Sequence, residues 1–145
     1  MIKTGIVAVI LFLYPLVGRC DDANSLTFKP YLGRLRTVEA SIHNRSYPFL
    51  FDTGGGLTII TPAVAKEIGC APWGRIIAHR MDGQTVPFQR CGSADIGLNG
   101  MIVNTEVFVF DLMALLPKDV PPLGGILSLH TFMNHAITIN LLQNQ

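Results

Sequence analysis

The chain has 145 residues, 49% of them apolar and 14% charged, with a formal net charge of +1. That length is one domain, and the apolar share supplies a buried core, which excludes a disordered tail. Near-neutrality without a run of Lys or Arg gives no electrostatic footing for nucleic acid or for an anionic membrane surface.

The chain opens on Lys3 and an apolar run over residues 5–17 that only Tyr14 and Pro15 interrupt. The run is short for a membrane span, and Pro15 would break one. Residues 1–20 are therefore expected to be a signal peptide cleaved near 18–20, with an uncleaved anchor as the alternative. No other membrane contact is expected. Arg19 occupies the place where a lipoprotein box needs a small residue. Cleavage beyond Cys20 leaves Cys70 and Cys91 of the three cysteines, an even pair in an oxidising compartment. They are either disulfide-bonded or two buried thiols.

Residues 21–34 read as a linker or a first strand, and 35–145 as the functional domain. Val38, Ala40 and Ile42 alternate with Glu39 and Ser41, the period of a half-buried strand. A turn is expected over residues 43–46, and a more fully apolar strand over 47–51. Asp52-Thr53-Gly54-Gly55-Gly56 follows, then a β-branched stretch over 57–60. The next segment is punctuated as a helix, with Thr61 as N-cap, Pro62 in the first turn and Gly69 past the end. Segments 75–81 and 85–90 flank Asp82-Gly83, a hairpin signal. A second hairpin is expected at Asn99-Gly100, joining 94–98 to 102–110. A proline-containing loop (117–122), an apolar segment at 124–127, a short helix near 128–134 and a last strand at 136–140 complete the chain. Many short strands and little helix predict a mostly β, closed or nearly closed structure.

The chemistry concentrates in FLFDTGGGLTII. A carboxylate at the end of a buried strand, ahead of glycines that let the backbone approach closely, is firmly held. Paired with a second carboxylate it can share a proton, activate a water and donate to a carbonyl. The bland alternative for Asp52 is a turn carboxylate capping backbone amides. Thr53 either orients the loop through its hydroxyl or is an ordinary β-branched residue. His43, His79, His130 and His135 have no metal-binding spacing, so neither metal nor cofactor is expected. Ser93 lacks the G-x-S-x-G context of a hydrolase nucleophile.

FLFDTGGGLTIITPAVAKEIG resembles the catalytic segment of retropepsin-like aspartic proteases, especially their bacterial secreted relatives. MDGQTVPF sits where that family has its flap hairpin. GGILSLHTFMNHAITIN is similar to its closing apolar segment, short helix and last strand. The resemblance spans most of residues 35–141. It implies a small closed-barrel-like retropepsin fold with a flap hairpin and one or two short helices. It also implies a polypeptide substrate, Asp52 as the catalytic carboxylate, Thr53 and Gly54 as loop support, and Asp82, Gly83 and Gln84 at the flap. The layout further implies that Cys70 and Cys91 lie near one end of the hairpin. Three residues depart from the family pattern. Ser128 stands where Gly is common, His130 where Asp is frequent, and Gly55 replaces a more usual Ala or Ser, a change expected to be harmless.

The chain carries one D-T-G, since Asp95 and Asp111 lack the following Thr-Gly. A two-carboxylate mechanism on this chain therefore implies a homodimer with Asp52 facing its copy across a twofold axis. The competing readings are a catalytically silent domain of the same fold that binds or dimerises, and an unrelated β-domain in which D-T-G is coincidental. The leader predicts a secreted or periplasmic protein. N-terminal sequencing is expected to find a start just after residue 18 or 20, and Met1 on soluble cytoplasmic protein would overturn this.

Overall fold

The computed structural model describes residues 25–80 and 82–145. The expected signal peptide, and Met81 at the end of the first expected flap strand, lie outside these residues. The described part is mostly β, with eight strands in one mixed sheet and little helix. In chain order they are β1 (Lys29–Tyr31), β2 (Leu35–Ile42), β3 (Arg45–Asp52), β4 (Thr58–Ile60), β5 (Trp73–His79), β6 (Thr85–Leu98), β7 (Met101–Val109) and β8 (Gly125–Ser128). The single α-helix among them, α1, is Pro62–Glu67, and two 3-10 turns cover Leu112–Leu115 and Leu129–Phe132.

Local chemistry sets several of these boundaries. His43 and Asn44 take φ of 49° and 63°, so β2 turns into β3 through two residues rather than the expected 43–46. Primed turns of this kind match the twist of a hairpin. Helix α1 begins as expected: Thr61 accepts a hydrogen bond from the Val64 amide, and Pro62 opens the first turn. Asn99 and Gly100, both at positive φ, join β6 to β7.

The sheet order is β1-β2-β3-β8-β4-β7-β6-β5, and Ser41 of β2 also pairs with Gly97 of β6. That contact closes six strands into a ring and leaves β1 and β5 as tails. Two glycines make the closeness possible. A Cβ at Gly97 would lie 2.3 Å from the Ser41 hydroxyl, and one at Gly125 would lie 1.9 Å from the Ile59 carbonyl oxygen. Inside the ring, Val38, Ile42, Phe49, Ile60, Ile96 and Leu127 form the main core, each almost or wholly excluded from solvent. Burial on this scale supplies most of the stabilisation, at about 1.5–3 kcal/mol per large apolar side chain.

Two expectations are corrected. The segments at 85–90 and 94–98 are one strand, because a bulge between Arg90 and Gly92, with Gly92 at φ +86°, bends β6 without ending it. The expected last strand at 136–140 has no ladder among the described residues. A strand needs a neighbour for its backbone groups, and this segment instead folds back at its end, where Asn140 and Gln145 exchange backbone hydrogen bonds. The expected helix near 128–134 is the shorter 3-10 turn Leu129–Phe132, and the 21–34 segment contributes β1.

Gly125→Ala is expected to destabilise the fold by about 3 kcal/mol, because the added methyl meets backbone at the centre of the sheet. Gly56→Ala, at a position with open space beside it, should stay within about 0.5 kcal/mol of the parent. Urea denaturation midpoints of both variants check this.

Candidate functional site

Asp52 is the last residue of β3, at the point where the strand leaves the core for the glycine loop. Its Oδ1 accepts a hydrogen bond from the Gly54 amide at 2.9 Å, so the loop folds back on the carboxylate it carries. A Cβ at Gly55 would lie 2.9 Å from Asp52 Oδ2. A methyl at 55 would meet the outer end of the Asp52 side chain, which would have to shift slightly to admit it.

The carboxylate opens into a cleft of about 620 Å³. The loop glycines form one side, and Ile59, Phe88, Phe110, Leu112, Leu115 and Ile126 make the walls apolar. The hairpin of β5 and β6 lines the other side through Ala78 and Val86, with His79, Arg80 and Asp82 at its rim. The tip is a tight turn: the Gly83 amide donates to the Arg80 carbonyl at 2.9 Å, and Gly83 has φ +82°. Asp82 Oδ1 accepts from the Gln84 amide at 2.9 Å. Of the expected flap residues, Asp82 lines the cleft, while Gly83 and Gln84 build the turn without lining it.

Thr53 is exposed, and its hydroxyl has no hydrogen-bond partner among the described residues. Within one chain, loop support comes from Gly54 rather than from Thr53. Asp95 accepts from Asn104 on the outside of the sheet, and Asp111 caps the 3-10 turn Leu112–Leu115. Neither lines the cleft. His130 is exposed within the 3-10 turn that follows β8. No group of three or more His, Cys, Asp or Glu suited to a metal occurs among the described residues.

Sequence reasoning missed two features. The basic rim of His79 and Arg80 gives no signal along the chain, because only the hairpin geometry turns it to the cleft. The second is a buried cluster of hydroxyls. Thr58 Oγ1 hydrogen-bonds Ser128 Oγ at 3.2 Å and also Thr131 Oγ1, with all three residues buried. Its signal was present in single hydroxyl residues set inside the apolar runs GLTII and ILSLHTF. Ser128, read as a packing problem, is fully buried and hydrogen-bonded.

Cys70 and Cys91 are joined by a disulfide, with Cα atoms 5.8 Å apart. The bridge ties the segment after α1 to β6 beside its bulge, where the hairpin leaves the ring. Nearby, Glu67 accepts from Tyr47 and Arg45, which hold its carboxyl below the usual range and fasten the end of α1 to β3.

No family model matches the chain, and no curated protein matches it in sequence.

Loss of the bridge releases a loop of about 20 residues, so a Cys70→Ser/Cys91→Ser variant should be about 3 kcal/mol less stable. Thiol labelling of the unreduced, denatured protein is expected to find neither cysteine free, and full labelling of both would overturn the bond.

Proposed function

We propose that the protein is a retropepsin-like aspartic endopeptidase, exported from the cytoplasm and active as a homodimer. The observation that carries this reading is the D-T-G carboxylate of Asp52 at the end of a core strand, facing an apolar cleft bordered by a glycine-tipped hairpin. The closing of six strands into a ring and the insertion of β8 between β3 and β4 support the retropepsin-like architecture.

In this mechanism two Asp52 carboxylates meet at the twofold axis and share one proton, because two carboxylates in contact cannot both ionise. The ionised one takes a proton from a water. The water oxygen attacks the scissile carbonyl, and the protonated carboxyl donates to the carbonyl oxygen. Collapse of the tetrahedral species breaks the C–N bond as a proton passes to the leaving amine. Apolar walls favour substrates with bulky apolar side chains beside the cleaved bond, and they exclude water from the reacting groups.

Two surface features support dimerisation. Ile137, Ile139, Leu141 and Leu142 are exposed on a C-terminal segment that has no strand partner among the described residues. Contiguous exposed apolar residues of this kind mark association surfaces. Thr53, beside Asp52, also faces outward, where a second copy of the loop would lie. The disulfide supports an oxidising compartment. The alternative of a silent module drew on Ser128 and His130, and the hydrogen bond that houses Ser128 weakens the first of these grounds.

A broad peptide library incubated with purified protein at mildly acidic pH should be cleaved. Asp52→Asn should lower the rate by on the order of 10³-fold or more. Specific activity should fall on dilution through the dimerisation constant, and excess Asp52→Asn partner should poison wild-type subunits. No turnover at any pH would favour the silent module, and unchanged specific activity on dilution would overturn the dimer.

A further inference from the structure

We propose that Ser128 is a positioning residue for Asp52, its buried hydroxyl stapling together the two ends of the glycine loop. The inference rests on the reading of Asp52 as the catalytic carboxylate. Its structural part stands independently of that reading.

The loop over residues 53–57 starts at Asp52 and ends at Thr58. Ser128 meets both ends. In the parallel pairing of β3 with β8, Ser128 lies opposite Asp52. Through its hydroxyl it hydrogen-bonds Thr58 Oγ1 at 3.2 Å, and Thr58 is the first residue of β4. Thr58 is held in turn by Thr131, at the end of the chain's next turn. Ser128 is fully excluded from solvent, and Thr58 and Thr131 nearly so. No buried side-chain N or O atom among the described residues lacks a hydrogen-bond partner.

The loop has reason to need such a staple. Gly54, Gly55 and Gly56 in succession give the backbone more freedom than any other residues would. Inside it, one bond from the Gly54 amide to Asp52 Oδ1 limits the carboxylate. Catalysis by a carboxylate pair tolerates little misplacement, since about 1 Å can cost on the order of 10²-fold in rate. A hydroxyl hydrogen bond gains strength in a dry interior, and the one from Ser128 is the longer of the two that Thr58 makes, so its loss leaves Thr58 paired with Thr131 while freeing β8 from the loop end. Fixing both loop ends to one buried residue restrains the loop without adding a side chain to the cleft.

The test uses the purified protein with Ser128→Ala, Ser128→Gly, Thr58→Val and Thr58→Ser. Thr58→Ser keeps the hydroxyl and serves as the conservative rescue. Amide hydrogen exchange, which reads the loop whether or not the protein turns over substrate, should accelerate about tenfold in Ser128→Ala at Gly54, the loop amide bonded to Asp52, and at β4, where the loop ends. Exchange in β2 and β7 should change little. Peptide cleavage by that variant should show kcat lowered three- to tenfold with KM within about twofold, and Thr58→Ser should remain near wild type. Equal acceleration at every amide, or none in the loop, would overturn the staple. Faster loop exchange with unchanged kcat would overturn the positioning role. Faster loop exchange in Ser128→Ala, together with a wild-type protein that cleaves nothing, would overturn the protease reading and leave the staple in place. Should Thr58→Val fail to fold, Ser128→Ala and Ser128→Gly carry the comparison.

Discussion

Strand β8 lies between β3 and β4, parallel to one and antiparallel to the other, and the rest of the molecule depends on that insertion. The space is so narrow that a side chain at Gly125 would overlap the Ile59 carbonyl. A residue without a Cβ is thus a steric condition of the sheet. Once β8 is seated, Ser128 comes opposite Asp52, Leu127 enters the main core and Ile126 reaches the cleft wall. The catalytic candidate, the core and the cleft are set by one register. A slip of one residue would exchange core and cleft faces, because side chains alternate along a strand.

The cleft is the second consequence of the ring. β6 belongs to it through Ser41 and β7, then passes its bulge and continues outward as an arm of the hairpin. The wall over Asp52 is therefore the extension of a core strand rather than a separate loop. The disulfide sits at this joint and fixes β6 to the segment after α1. The apolar cluster of Ile59, Phe88 and Phe108 packs beneath the hairpin and anchors its base. Among the described residues, the buried hydroxyls of Thr58, Ser128 and Thr131 satisfy one another and that of Thr61 caps α1, which matches the high cost of an unpaired buried group.

The molecule is asymmetric in how it treats its apolar residues. The ring interior encloses its own almost completely, while Trp73, Ile102 and Leu115 are exposed singly on its outside. The C-terminal end leaves Ile137, Ile139, Leu141 and Leu142 accessible, next to a groove that also includes Phe28, Phe51 and Phe132. The exposed residues alternate over 137–141, a strand period without a strand. The same end of the molecule holds the sequence-predicted strand that has no ladder partner among the described residues.

What the sequence determined by itself was what depends on near neighbours. The mostly β composition, the capped helix at Thr61 and Pro62, a turn somewhere within 43–46 and another at Asn99-Gly100, and the prominence of Asp52 all follow from residues within one turn of each other. Backbone sterics and side-chain periodicity act at that range. Tertiary structure decided what depends on partners distant in the chain. The 136–140 segment has the pattern of a strand, yet backbone groups pair only with a neighbour, and pattern cannot supply one. Gly92 reads as a break between two strands, but the bulge lets one strand run through because β7 pairs on both sides of it. Ser128 reads as a misfit for glycine until Thr58, 70 residues away, is brought within hydrogen-bond reach. His79 and Arg80 acquire a cleft to line only when the hairpin folds over Asp52. Each is a contact whose energy exists only after the ring has closed, so no local pattern along the chain records it.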